Sequence, residues 1–318
     1  MEQLDLPGMC NMVEEHESKR FSMKWSYSRR DALEQCPRRY YYQYYGKNLR
    51  AATAEPLKDT LRFLETLSNR HLRAGEILHL VVKSYLKHLQ DGENWSLARV
   101  LSWAHDIYHR DLEYSRQYRS GDPPDGGEYP PALLLEFYYG FEDAEFLWTE
   151  SESELVKALT NFMTGAELER FRLGARHANA IVEKSVHLEG EHFSMDGKID
   201  LAYPQGDRIV IVDWKMGQSN GSGDNLQLLS YALGAAKEFG CPLSNIDLYR
   251  VHLANGKVSP FAVSEKKVRS AKARIIQDLE RMQELDDYGQ KAASEAFTPC
   301  NQPRVCALCT FQGVCIRE

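Results

Sequence analysis

Residues 197–215 read GKIDLAYPQGDRIVIVDWK, and the fold turns on them. Two β-prone runs, FSMDGKIDLAY (193–203) and RIVIVDW (208–214), flank the turn-forming PQGD, which is the pattern of a hairpin. Asp200 closes GKID on the first run, while Asp213 and Lys215 stand in IVDWK on the second. Residues two apart on a strand face the same side, so Asp213 and Lys215 share a face. Folding through the turn brings Asp200 towards them. Two carboxylates are hard oxygen donors of the kind that hold Mg²⁺ or Mn²⁺. A metal there would activate water and stabilise charge on a phosphodiester under attack, with Lys215 positioning that water or neutralising the charge. An ordinary Asp–Lys ion pair on a strand satisfies the same residues.

Outward from the hairpin, VEKSVHL (182–188) and NIDLYRVHL (245–253) read as further strands. Between them MGQSNGSGDN (216–225) is a Gly-rich loop, and NLQLLSYALGAAKEFG (225–240) is an amphipathic helix with Gln227 and Tyr231 one turn apart. Strand, strand, strand, helix, strand predicts an α/β core of limited size. A long charged helix over about 264–286 leads to the C-terminal cysteines. Upstream, AGEILHLVVKSYLKHLQ (74–90) has apolar residues at 78, 82, 85 and 89, a helical period. Residues 93–175 are helix-like apart from GDPPDGGEYPP (121–131), and read as a helical insertion. Residues 27–45 read as two short helices: Ser28 followed three residues later by Asp31 resembles a capping box, and Pro37 suits the first position of the second helix. No internal repeat or low-complexity tract stands out.

G-K-I-D, then V-D-W-K-M-G, then a helix bearing Q-x-x-x-Y resembles the PD-(D/E)XK nuclease superfamily. The match is to its RecB-like branch, with the RecB and AddB nuclease domains and the CRISPR adaptation nucleases. That branch also carries an upstream helical G-x-x-x-H, and Gly75-Glu76-Ile77-Leu78-His79 fits it. The resemblance implies a restriction-endonuclease-like α/β core, a small mixed sheet flanked by helices, with a helical insertion and a C-terminal iron–sulfur tail. It implies His79, Asp200 and Asp213 as metal ligands, Lys215 as the catalytic lysine, and Gln227 and Tyr231 lining the site. Met216 departs from the threonine that often follows the lysine. Taken singly, His79 reads more readily as a packed core histidine, and Gln227 and Tyr231 fit helix surface and core respectively. Glu183, on the strand before Asp200, is either an additional acid of the site or a solvated side chain.

The chain also carries CALCTFQGVC at 306–315, three cysteines spaced Cys306-x2-Cys309-x5-Cys315. That is ligand spacing one thiolate short of a four-ligand site. The same resemblance implies an iron–sulfur cluster of the 4Fe-4S type. Its fourth ligand would be Cys36, in QCPRRYYYQYYG, so that the cluster staples the two ends of the chain. Four cysteines satisfy structural zinc as well, which spacing alone favours, whereas the resemblance favours the cluster. Cys300 lies near enough to be a stray candidate, whereas Cys10 and Cys241 read as free thiols.

The 318 residues carry a net charge of −7 and 43% hydrophobic residues, ordinary for a globular protein and against a general nucleic-acid binder. The charge is uneven, however. Residues 20–50 hold eight basic side chains against Asp31 and Glu34, a local +6, while FEDAEFLWTESESE (141–154) holds six acids and no base. Arg38, Arg39 and Tyr42, in a helix with five tyrosines, have the composition of a single-strand contact, arginine for phosphate and aromatics for stacking. Tyr41, Tyr44 and Tyr45 fit a core equally well.

The start shows no basic region followed by an apolar run, and no stretch approaches the roughly 18 apolar residues of a membrane helix, so a cytoplasmic protein is expected. Four parts are expected: 20–92 as the N-terminal helical part with the first cluster cysteine, 93–175 as insertion, 176–263 as catalytic core, and 264–318 as C-terminal helix and cysteine tail. The leading expectation is an Mg²⁺- or Mn²⁺-dependent deoxyribonuclease, an exonuclease on single-stranded DNA or DNA ends, in repair, recombination or phage and CRISPR-related defence. By analogy it works beside a helicase or recombination partner. The rivals are an inactive nuclease-fold scaffold that binds nucleic acid, and a zinc-stabilised protein-interaction module using the acidic 141–154 segment.

Overall fold

The computed structural model describes residues 24–48, 55–119, 128–189, 194–217, 225–291 and 293–315. Arg20, Arg50, Cys10 and most of the Gly-rich loop therefore lie outside the described residues. In chain order the first elements are β1 (Lys24–Trp25), α1 (Tyr27–Gln35), α2 (Pro37–Tyr44), α3 (Glu55–Thr66), α4 (Arg70–Gln90) and α5 (Leu97–Gln117). Then come α6 (Leu135–Tyr138), α7 (Ala144–Thr164), α8 (Ala166–Gly174), β2 (Ile181–Glu189), β3 (Ser194–Gln205) and β4 (Arg208–Lys215). The last are α9 (Leu226–Phe239), β5 (Ile246–His252), β6 (Lys257–Phe261), α10 (Glu265–Gln290) and α11 (Pro303–Ala307).

The run Ile209-Val210-Ile211-Val212 is apolar on both sides because β4 is a central strand with both faces covered. Ile209 and Ile211 pack under α9, while Val210, Val212 and Trp214 pack against the opposite helical layer. The sheet is mixed. β3 pairs antiparallel with β2 and β4, β4 runs parallel to β5 through the α9 crossover, β6 is antiparallel to β5, and β1 lies parallel to the start of β3. Gly234 lets α9 press onto β2, since a Cβ there would sit 2.7 Å from Val186 Cγ2.

The segment 93–175 does not stand apart from the sheet. Its helices α5, α7 and α8 share one apolar cluster with α4 and β4. The Trp214 ring lies edge-on to Phe162 and Phe171, with centroids 5.4 and 5.9 Å away. A second cluster joins the chain ends: α1, α2 and β1 pack on α10 and the cysteine tail. Trp25 Nε1 donates to the buried Asp278 at 3.0 Å and Tyr45 donates to Asp286 at 3.0 Å, tying the first elements to α10. Among the described residues no helix is long and apolar enough to cross a membrane.

Two local expectations shift. The cap of α1 is Ser26, extended at φ −143°, whose Oγ accepts from the Arg29 N–H; Ser28 lies within the helix, so no capping box forms at 28–31. The break at Cys36 stands as expected, with Cys36 extended and Pro37 opening α2. The tiny β1 and the edge strand β6 add to the strands read from sequence.

Candidate active site

Three side chains meet where β2 and β3 lose their regular pleat. The pairs Val182–Leu201 and Lys184–Ile199 place Glu183 opposite Asp200. Val182 and Leu201 belong to the helical-layer cluster, yet Ile199 and Val186 belong to the α9 side, and Lys184 pairs with Glu238 of α9. Residues two apart thus point to opposite faces across Glu183 and across Asp200, the reverse of a regular strand. Glu183 takes φ +52°, a left-handed conformation that non-glycine residues rarely hold and that clusters at functional sites.

His79, from the helical layer, reaches this irregularity. Its Nδ1 lies 3.3 Å from Asp200 Oδ1 and 3.5 Å from Glu183 Oε1. One ligand atom from each of His79, Glu183 and Asp200 falls within 4.8 Å of the others, so the three could hold a metal ion. The other Asp200 oxygen accepts the Trp214 N–H at 2.9 Å, which locks the carboxylate to β4. Burial lowers the His79 pKa, but hydrogen bonds and charge from Asp200 and Glu183 outweigh it and push the ring up to about 10. Burial raises the Glu183 pKa in turn, and His79 and Lys198 overcome it, holding the carboxyl below its ordinary value. Lys198 pairs directly with Glu183.

Asp213 and Lys215 share a face as the strand period requires, and Lys215 Nζ lies 3.0 Å from Asp213 Oδ1. The second oxygen faces Arg250 of β5, whose Nε is 3.4 Å away. Asp213 is only 1% exposed, and burial raises its pKa against the pull of the Lys215 charge. Asp213 therefore stands outside the group of three, held between two cations. Gln227 donates to the Tyr231 hydroxyl at 2.9 Å. Burial, followed by the charges of Asp213, Asp200 and Glu183, raises the Tyr231 pKa, which places the phenol at the same site.

The sequence reading thus brings His79, Asp200, Asp213, Lys215, Gln227 and Tyr231 to one region. Glu183 resolves from an open alternative into a buried partner of His79, 5% exposed at its side chain. Arg250 and Lys198 escaped that reading. Lys198 sits inside GKID with nothing to mark its partner. Arg250 becomes legible only once the parallel register of β4 and β5 is known.

Cys36, Cys300, Cys306, Cys309 and Cys315 line a single cavity together with Arg39 and Tyr42. Cys36 is buried, and burial pushes the Cys309 thiol up to about 11, with Cys36 and Cys315 among its electrostatic neighbours. Thiolates are the donors of zinc and iron–sulfur sites, but among the described residues only His79, Glu183 and Asp200 bring three ligand atoms close enough to hold one ion. Cys241 lies elsewhere, after α9.

The expected strand-contacting residues are largely spent on structure. Arg38 Nε donates to the Phe297 carbonyl at 2.6 Å, binding α2 to the C-terminal segment. Tyr42 is 5% exposed, packs on Phe311 and donates to the Val314 carbonyl, so its ring is not open to stacking. Tyr40, Tyr41 and Tyr45 are core as well, and Tyr44 is half-buried. Arg39 turns to Gln35 and to the thiol cavity.

A mixed sheet whose carboxylates and lysine meet a histidine from the helical layer has the equipment of a metal-dependent nuclease. The family model of the PD-(D/E)XK nuclease superfamily matches residues 24–316, and the chain belongs to that superfamily. The sheet flanked by helices fits its restriction-endonuclease-like fold, and its members use divalent metal and act on nucleic acid. No curated protein matches the sequence. A solved structure titled "Crystal structure of SSO0001" is similar at 13% identity, covering 66% of this chain and 95% of that one, with a TM-score of 0.29.

Proposed function

We propose that this chain is a deoxyribonuclease of the RecB-like branch, hydrolysing phosphodiester bonds of single-stranded DNA or DNA ends, with a 4Fe-4S cluster on its cysteines. The observation that carries the reading is His79 placed against both Glu183 and Asp200, with Asp213 and Lys215 on the adjoining strand. His79, Asp200 and Asp213 are the ligands expected from the family pattern, and Glu183 joins them through His79. A bound Mg²⁺ or Mn²⁺ supplies a more acidic water and positive charge beside the phosphate.

The chain's own residues do the rest. Asp200, pinned by the Trp214 amide, keeps a fixed orientation without rearranging. Lys215 leaves its contact with Asp213 to place its ammonium against the attacking water or the phosphoryl oxygens. Arg250 stays on Asp213 and keeps that carboxylate aimed. Tyr231, held by Gln227, walls the site from the α9 side. Water's oxygen forms the new bond to phosphorus and gives up a proton to solvent, the phosphorus–oxygen ester bond breaks, and the leaving oxygen takes a proton back from solvent.

Cys36, Cys306, Cys309 and Cys315 hold the cluster, which acts as a staple between the chain ends and not as an electron carrier. A cytoplasmic role in DNA repair, recombination or antiviral defence, beside a helicase or recombination partner, belongs to the same reading, as do the four parts 20–92, 93–175, 176–263 and 264–318. The test is incubation of end-labelled single- and double-stranded DNA and RNA with Mg²⁺, Mn²⁺ or chelator. Metal-dependent product ladders on DNA support the assignment. No cleavage with either metal leaves the inactive nucleic-acid-binding scaffold.

A further inference from the structure

The thiol cavity contains one cysteine more than a four-ligand site uses. The surplus is not evenly shared. Cys300 Sγ lies 4.0 Å from Cys306 Sγ, while Cys309 has Cys36 and Cys315 as its thiol neighbours. Two thiolates on one tetrahedral ion, each at about 2.3 Å from it, stand about 3.8 Å apart. In a 4Fe-4S cluster, by contrast, each iron takes one protein thiolate, so the thiolates of a single cluster are spread to separate corners. The Cys300–Cys306 spacing is therefore that of two sulfurs competing for one metal atom.

The chain explains how both can reach it. Cys300 precedes Pro303, which opens α11, and Cys306 lies in that helix with its N–H bonded to the Gln302 carbonyl. The two cysteines thus flank a single turn, and both line the cavity. Asn301, between Cys300 and Pro303, takes φ +51°, and this left-handed residue turns the chain at that point.

We propose that Cys300 is a fifth ligand of this centre, an alternate to Cys306 at the same metal corner, so that either sulfur completes the site. The inference rests on the reading of the cysteines as a metal centre and goes beyond its four-residue ligand set. It gives the corner of Cys306 a second sulfur in reserve, 4.0 Å away.

The test compares wild type, Cys300→Ser, Cys306→Ser, the double variant and Cys36→Ser, all purified without air. Iron, sulfide and zinc per chain, visible absorbance and thermal melting are measured on each. Wild-type-like metal content in both single variants at positions 300 and 306 is expected. The double variant and Cys36→Ser should retain at least roughly tenfold less metal after a chelator challenge. A Cys306→Ser protein that is bare, or that fails to fold while Cys300→Ser is full, overturns the proposal. A colourless wild type holding one zinc sinks the cluster reading alone, and the same comparison is then read in zinc. A wild type with no metal sinks both.

Discussion

Arg250 stands level with Asp213 in the parallel pairing of β4 and β5, and its guanidinium takes the carboxylate oxygen that Lys215 leaves open. Both oxygens of a buried carboxylate are thus matched by cations before any metal arrives. A charge so enclosed is costly to remove on its own, because its partners lose their counter-charge in a low-dielectric place. Burial and repulsion from Asp200 work the other way and raise the Asp213 pKa despite the two cations, while deletion of the carboxylate strands both cations without a counter-charge. Asp213→Ala should abolish cleavage and destabilise the metal-free protein by about 1–3 kcal/mol. Cleavage and denaturant melts on the purified variant check this; unchanged stability would show that the two cations do not depend on this carboxylate.

Arg250→Gln tests the same contact from the other side. Because Arg250 holds Asp213 and is not proposed to touch substrate, its loss should weaken Mn²⁺ binding by about 10–100-fold, the range seen when residues that orient metal ligands are changed. Binding is measured by calorimetry on an otherwise folded protein. Arg250→Lys should recover part of it, as a charge without the guanidinium geometry. Equal Mn²⁺ affinity in wild type and Arg250→Gln would remove the positioning role.

The hairpin was legible because its signals are local: alternation, a turn and acids at fixed offsets. So were the helix carrying His79 and the crossover helix with Gln227 and Tyr231. Glu183 was not, since its importance depends on a pleat that fails in two strands at once, a property of their pairing and not of either segment. Arg250 was hidden for a related reason, as parallel register is fixed by helices packed on both faces. Tyr42 shows the converse. Composition made it a stacking residue, and packing against Phe311 at the far end of the chain made it core.

His79 gives a pH signature with a defined sign. Its pKa in the folded, metal-free protein is about 10, above the ordinary 6.5. A raised pKa means that the protonated ring stabilises the fold. That contribution is complete below about pH 6.5 and is lost as pH rises towards 10. The metal-free protein should therefore melt at progressively lower temperature across that window, and His79→Gln should flatten the trend. A metal ligand must be the neutral ring, so Mn²⁺ affinity should rise with pH over the same window, with a proton released on binding. Melting curves and Mn²⁺ titrations at pH 6, 7.5 and 9 read both effects; a pH-independent affinity would take His79 out of the ligand set.

Gly75 lies inside α4, one turn before His79, and nothing stands within 4 Å of where its side chain would begin. Glycine in a helix interior costs about 0.5–1 kcal/mol relative to alanine, and packing does not account for it here. A bare helix face beside the metal ligands suits close approach of a phosphate backbone. Gly75→Ala should raise stability by about that amount while lowering kcat/KM for DNA. If cleavage were untouched, the open face would have no part in substrate approach.

The cysteine centre and the carboxylate site should fail independently. Cys36 caps the junction of α1 and α2, and the tail it meets is also held by Tyr42, Arg38 and the Phe297 ring. On the proposed reading of the cysteines, losing Cys36 or Cys309 removes a link closing nearly the whole chain, so the ends should loosen first. Cys36→Ser and Cys309→Ser should be equally damaging despite their distance in sequence. Both should lose metal from the thiol cavity, gain hydrogen exchange in α1, α2 and the 297–315 tail, and lose cleavage through that loosening. Asp213→Ala should keep both the metal in the thiol cavity and the exchange protection of the two ends. Hydrogen exchange resolved along the chain, run beside metal analysis, separates the cases. Loss of the thiol-bound metal in Asp213→Ala would mean that the two sites fold as one unit, and the staple would then support the catalytic strands directly.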